Sequence, residues 1–158
     1  MPENSRRGTH ELLDRTNRRL LAELSAEPRI TMSALARRLG MSAPAVTERV
    51  QRLERAGVIR GYRLELDPAA LGLPLTAYAR IRPVAGQLSR IAQLADELPE
   101  VTECHRITGE DCFLLKLHAA TMGDIEAILD RFLLYGQTTT SVVVSTPVPL
   151  RCPPLPDQ

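Results

Sequence analysis

Hydrophobic positions recur at helical spacing through the first sixty residues, then switch between strand and helix spacing to the end of the chain. Leu12, Leu13, Leu20, Leu21 and Leu24, interleaved with Asp14, Arg15, Arg18, Arg19 and Glu23, predict an amphipathic helix ending near Pro28. Thr31 reads as an N-cap before Ala34, Leu35, Ala36 and Leu39, and Gly40 can end this second helix by taking a positive φ. Ser42 offers the next N-cap and Pro44 sits in the first turn, where its missing N–H costs nothing. Val46, Val50 and Leu53 then recur at i, i+4 and i+7 until Gly57 closes the helix. Two helices joined by a short turn containing Gly match the helix-turn-helix pattern, whose second helix enters the major groove with its N-terminal residues toward the bases. After Ser42 and Ala43, the outward face of that helix holds Pro44, Thr47, Glu48, Gln51, Arg52 and Arg55. A plain helical hairpin with a solvated arginine face satisfies the same spacing equally well.

From Tyr62 to Leu66 apolar and polar residues alternate, which predicts a strand, and Asp67 to Pro74 reads as turn material with at most one helical turn. The remainder reads as one pattern used twice. Leu75 to Arg82 alternates; Leu88, Ile91, Ala92, Ala95 and Leu98 fall at helical spacing; Val101 to Thr108 returns to strand. Cys112 to His118 is the next strand, and Thr121, with Asp124 three residues on, caps a helix whose face is Ile125, Ile128, Leu129, Phe132 and Leu133. Gly136 closes that helix, and Thr138 to Ser145 is the last strand. The order β-α-β-β-α-β predicts a ferredoxin-like domain with both helices on one face of an antiparallel sheet. The fold class is therefore α+β: an N-terminal trihelical, winged-helix-like head and a C-terminal ferredoxin-like body. On the other sheet face Cys112, Leu114, Lys116 and His118, beside Tyr78 and Val142 or Val144, make a half-apolar surface that suits a homodimer in which sheets meet. A dimer also lets two heads read two half-sites. Five prolines in residues 146–158 make the end an extended tail, and residues 1 to 10 read as an unstructured polar tip.

Charge separates the two readings of the helix pair. Net charge is only +1, but residues 1–60 hold twelve Arg against seven acids, giving +5, while residues 61–158 hold eight basic against twelve acidic residues, giving −4. The cationic part is the part with the helix pair, and nineteen of the twenty basic residues are Arg, the side chain suited to bidentate phosphate and guanine contacts. Arg37, Arg38, Arg49 and Arg52 are the phosphate or base candidates, Arg49 leaning toward the core side of its helix. With 3% aromatic residues and no Trp, a stacking platform for single-stranded bases is not expected.

No apolar run is long enough for a signal peptide or a membrane span, which implies a cytoplasmic, nucleoid-associated protein. Cys104, Cys112 and Cys152 are too few for a disulfide framework and read as reduced thiols. Cys104 and His105 are adjacent on a strand and point to opposite faces, so no metal site is expected; nor is there a phosphate loop, a nucleophile elbow, a paired catalytic carboxylate or a cofactor motif, and no enzyme activity is expected. Gly109, Glu110 and Asp111 form a tight turn whose N–H groups can hold a carboxylate while an acid holds an ammonium, with Thr139, Thr140 and Ser141 adding hydroxyls. Ordinary hairpin chemistry accounts for the same residues.

Taken together, LDRTNRRLLAEL, RITMSALARRLGMSAPAVTERVQRLERAGVIRGYRLELDPAALGL, LPEVTECHRITGEDCFLLKLHA and TSVVVS, in that order from about Leu13 to Ser145, resemble the leucine-responsive regulatory protein/asparagine-operon regulator (Lrp/AsnC) family of transcription factors. The resemblance implies a helix-turn-helix DNA-binding domain at 1–60, a linking strand and turn at 61–74, a ferredoxin-like effector-binding and oligomerisation (RAM) domain at 75–146, and a proline-rich tail at 147–158. It further implies double-stranded DNA as partner, dimers that assemble into octamers, and an amino acid or related metabolite bound between dimers. Ser42 to Arg52 is then the reader helix and Thr108-Gly109-Glu110-Asp111-Cys112 the effector loop. That loop departs from the frequent family form Thr-Gly-Asp-Tyr-Asp, because Cys112 stands where the second Asp falls; if that Asp holds the ligand's amino group, its role passes to Asp111 or Glu110, or the ligand is a different one. A ligand-independent architectural DNA-binding protein, and a small-molecule binding module without DNA function, are the alternative readings.

Overall fold

A computed structural model describes residues 12–156, so the expected polar tip at residues 1 to 10 lies outside the described residues. The chain divides into two compact units, residues 1–64 with 150–158, and residues 65–149.

Among the described residues three complete helices build the head: α1 (Arg15–Ala26), α2 (Met32–Leu39) and α3 (Ala43–Arg55). Each begins where a short polar side chain satisfies an otherwise unpaired N–H. Asp14 accepts from the Asn17 N–H at 2.6 Å, Thr31 Oγ1 from Ala34 at 3.2 Å and Ser42 Oγ from Ala45 at 3.4 Å. The helix that Asp14 caps therefore starts at Arg15, and Leu12 and Leu13 precede it. Gly40 ends α2 at φ 68°, a left-handed conformation that costs an L-residue with a Cβ about 1–2 kcal/mol. Leu20, Leu35, Val46 and Leu53 are fully buried and, with Leu24, Ile30, Ala36 and Val50, form one core.

The body is a four-stranded antiparallel sheet of order β2-β3-β1-β4, from β1 (Leu75–Pro83), β2 (Val101–Arg106), β3 (Phe113–Ala119) and β4 (Gly136–Val142), with α4 (Leu88–Glu97) and α5 (Met122–Leu133) as the crossovers. Ala77, Ala79 and Ile81 of β1 and Phe113, Leu115 and Leu117 of β3 pack with Ile91, Leu94 and Ala95 of α4 and Ile125, Ile128 and Phe132 of α5 in one core. The ferredoxin-like order is the one expected. Thr121 and Asp124 close a capping box on α5.

Several local expectations need correction. Residues 58–66 carry no strand. Tyr62, Leu64 and Leu66 are 57%, 79% and 55% exposed, and Tyr62 instead donates its hydroxyl to Glu54 of α3 at 3.2 Å. Alternation favours an extended backbone, but a strand also needs a neighbour with free backbone groups. Gly136 is the first residue of β4 and not a helix cap; a Cβ there would lie 2.5 Å from the Arg82 carbonyl oxygen. Strand β4 consequently starts and ends earlier than expected. On α4, Leu94 rather than Ala92 faces the core, and Leu133 of α5 is exposed.

The sheet face away from the helices is also more polar than expected. Val142 pairs with Ala77 and so points to the helix side, Val144 lies beyond β4, and Cys112 precedes β3 and packs against the core. What remains includes Thr76, Tyr78, Arg80 and Arg82 from β1, Leu114, Lys116 and His118 from β3, and Glu103 and His105 from β2. His118 is nevertheless 8% exposed and shares a hydrogen bond of 3.0 Å with Thr76 Oγ1.

Candidate nucleic-acid interface and effector loop

Burial of Val46, Val50 and Leu53 fixes which way α3 turns, and Pro44, Glu48, Gln51, Arg52 and Arg55 are left exposed, as helical spacing requires. Thr47 is half-buried and its hydroxyl donates back to the Ala43 carbonyl at 2.9 Å. Ser42 accepts with its hydroxyl oxygen in the cap, and Ala43 packs partly against the head core. Accepting in the cap leaves the Ser42 O–H free to donate, while Ala43 presents only backbone and its methyl group.

The arginines separate by partner. Arg38 is held at 2.8 Å by Glu23 and at 2.6 Å by Glu27 of the α1 end, and the hydrogen bonds it donates to these carboxylates, Glu23 first, raise its pKa above the ordinary guanidinium value. Arg49 reaches Asp14 at 2.9 Å and the Asn17 side-chain oxygen at 3.0 Å. Asn17 is 3% exposed and donates to the Leu12 carbonyl at 2.7 Å, so Arg49, Asp14 and Asn17 tie α3 to the start of α1. Among the described residues Arg37, Arg52 and Arg55 make no ion pair. Of the arginines singled out on α2 and α3, these three are left without a carboxylate partner. Asp14 and Asn17 escaped sequence reasoning; the signal available was an Asp placed as an N-cap before the first apolar run.

At the β2–β3 connection, the Ile107 N–H donates to the Cys112 carbonyl at 2.9 Å and closes the loop containing Thr108, Gly109, Glu110 and Asp111. Gly109 takes φ 108°. Arg82 pairs with Glu110 and lies 3.6 Å from Asp111, while Arg80 lies 3.9 Å from the other Asp111 oxygen. Neither arginine stood out in the sequence, because only the β1–β3 register, Arg80 opposite Leu114 and Ile81 opposite Phe113, brings them to the loop. Thr139 pairs with Arg80 across β1 and β4, so it shares that face, and Ser141 follows beside Tyr78. Thr140 pairs with Ala79 and lies on the helix side, which removes it from the candidate set. The structure thus brings Asp111, Glu110, Arg80, Arg82 and Thr139 together at one end of the sheet.

Among the described residues no group of three or more His, Cys, Asp or Glu is placed to hold a metal ion, and no helix is long and apolar enough to cross a membrane.

Comparison with known proteins agrees with both halves of this arrangement. Residues 13–60 match a winged helix-turn-helix DNA-binding model, and residues 76–151 match the Lrp/AsnC ligand binding domain. Among curated proteins, the chain is 34% identical over 133 residues to the HTH-type transcriptional regulator LrpC of Bacillus subtilis, covering 84% of this chain and 92% of the relative. It is 34% identical over 140 residues to LrpA of Mycobacterium tuberculosis, covering 87% and 93%. These relatives are transcription regulators, not enzymes. Among solved structures, B. subtilis LrpC superposes with a TM-score of 0.81 at 34% identity, covering 85% of this chain and 96% of that one. A feast or famine regulatory protein of M. tuberculosis complexed with L-methionine gives 0.80 at 33% identity, covering 87% and 95%. A head with three capped helices, a ferredoxin-like body and these matches over most of both chains establish that this protein belongs to the Lrp/AsnC family of DNA-binding transcription regulators.

Proposed function

We propose that the protein reads DNA through the exposed face of α3 and that an amino acid or related metabolite at the Gly109 loop modulates its assembly or its DNA binding. The observation that carries the DNA part is the exposed row Gln51, Arg52 and Arg55 on α3, in a head of charge +5 that also exposes Arg37. For the effector, the paired charges at the loop have the chemistry of a free amino acid: Arg80 and Arg82 suit a carboxylate and Asp111 suits an ammonium. Asp111 then takes the part for which Cys112 is unsuited. Relatives of known structure from M. tuberculosis and Neisseria meningitidis are complexes with L-methionine, which makes that amino acid the first probe.

The working form is a homodimer, associating further into octamers, in the cytoplasm at the nucleoid. Two heads are needed for two half-sites. The unpaired backbone of residues 62–66, with its exposed apolar side chains, offers an edge for association.

Fluorescence anisotropy of the full chain on fragments of the source genome, titrated with L-methionine and other amino acids, tests both parts. Effector and DNA must be linked reciprocally, so an active amino acid shifts DNA affinity by about 5- to 150-fold, equivalent to about 1–3 kcal/mol. Identical isotherms with every amino acid would remove the effector and leave the architectural reading. That second reading has its own support, since Glu110 and Asp111 are paired with Arg82 and Arg80 within the chain.

A further inference from the structure

What α3 buries fixes what it points outward. With 3.6 residues per turn, the buried Val46, Val50 and Leu53 lie within about 60° of one another, and Glu48 points about 170° away from their mean direction. Glu48 is exposed and is therefore the centre of the outward face. Pro44 and Arg52 flank it at about 40° on either side, and Gln51 stands at about 60°. Arg55 points the same way, but about 10 Å further along the axis, at the C-terminal end of the helix. A recognition helix meets base edges with its N-terminal residues, so the side chain that α3 aims straight at the groove floor is an acid.

An acid in that place needs a reason, because phosphates wall the groove on both sides. Two local reasons fail. Glu48 lies beyond the first turn, which has no acidic residue, so the positive end of the helix does not favour it. Arg52, four residues on, is spaced for an ion pair with it, yet among the described residues Glu48 is in none. A carboxylate only accepts hydrogen bonds, and the major groove presents further acceptors at guanine N7 and O6, adenine N7 and thymine O4. Its donors are the amino groups of cytosine and adenine. Adenine sets N7 beside its amino group, where it repels the second carboxylate oxygen; cytosine has no acceptor there.

Resting on the reading that the exposed face of α3 enters the major groove, we propose that Glu48 is a specificity-determining residue that selects cytosine by accepting from its N4 amino group. Glu48 adds selection rather than attraction. Phosphates repel it on every sequence, and a donor on the groove floor offsets that repulsion only where cytosine stands.

Selection of binding sites from a random duplex library by the full chain, by Glu48→Ala and by Glu48→Gln tests this. The unaltered protein is expected to select a cytosine that Glu48→Ala no longer selects. Affinity of Glu48→Ala for the original site should fall about 5-fold or more, the scale of one mismatched base pair, while its affinity for random-sequence DNA rises. Glu48→Gln should move the same position to adenine, which glutamine meets at N6 and N7. Replacing that cytosine by pyrimidin-2-one, which lacks only the amino group, should weaken the unaltered protein and leave Glu48→Ala unaffected. Unchanged preferences in Glu48→Ala, loss of a base other than cytosine, or equal weakening of both proteins by pyrimidin-2-one overturns the proposal. If Arg52→Ala still lowers the salt dependence when Glu48→Ala changes nothing, only the role of Glu48 falls; if neither variant alters binding, α3 is not the reader.

Discussion

Asp14 does two things with one carboxylate, capping α1 and receiving Arg49 from α3. Partial burial on its own raises its pKa, but the Asn17 N–H and the Arg49 guanidinium outweigh that and hold it below the usual carboxylate range. A folded-state pKa below the unfolded value contributes stability that is present above about pH 4 and is lost as pH falls through the folded value. Asp14→Ala should cost about 1 kcal/mol from the cap alone in urea denaturation. Asp14→Asn keeps the cap and should flatten the acid limb, isolating the ionic part. Arg52 and Arg38 make the complementary pair on DNA. If Arg52 meets phosphate, Arg52→Ala reduces the slope of log affinity against log salt by about 0.9. Arg38→Ala removes the guanidinium that Glu23 and Glu27 share, so its expected effect moves from the salt slope to head stability. A smaller slope for Arg38→Ala would show that the guanidinium leaves its carboxylates to bind DNA. Both arginines look alike in sequence, since helical spacing reports exposure but not the carboxylates a neighbouring helix supplies.

Strand β4 illustrates what happens one level up. Gly136 begins it at a point where β1 passes so close that an added Cβ meets the Arg82 carbonyl, and the nearest Ile81 methyl lies 3.0 Å away. Gly136→Ala should therefore push β4 off β1 and destabilise the body by about 1–3 kcal/mol, as overpacking does, readable in the denaturation midpoint. An unchanged midpoint would mean that β4 shifts without losing its ladder. A glycine after a helix is ordinarily a cap, so its real reason was invisible without the neighbouring strand. The same limit explains residues 62–66: alternation predicted a strand, and without a strand beside it among the described residues none forms. By contrast α2, α3 and α5 were legible to the residue at their starts, because Thr31, Ser42 and Thr121 bond to N–H groups three positions away and need nothing distant.

For the molecule as a whole, the division of charge follows the division of work, a +5 stretch that meets DNA and a −4 stretch that carries the sheet. Within the body, burial lowers the His118 pKa first and the neighbouring Lys116 lowers it further, with Glu103 opposing. The unfolded state then binds the proton more readily, so this contribution is fully present above about pH 6.5 and is lost as pH falls toward the folded value. The midpoint of body unfolding should drop between about pH 7 and pH 5.5, and His118→Gln should flatten that drop; an equal drop in the variant would assign it to other groups. What the sequence by itself determined was local or periodic: the capped helix pair, the βαββαβ order, the faces set by 3.6- and 2-residue repeats, and the family resemblance carried by their spacing. Only the tertiary structure decided which arginines are spent on carboxylates, that Arg80 and Arg82 reach the Gly109 loop, and that Thr140 turns away from it. Each of these depends on strand register or on a helix many residues distant, and a repeat along one chain segment carries no information about what packs across from it.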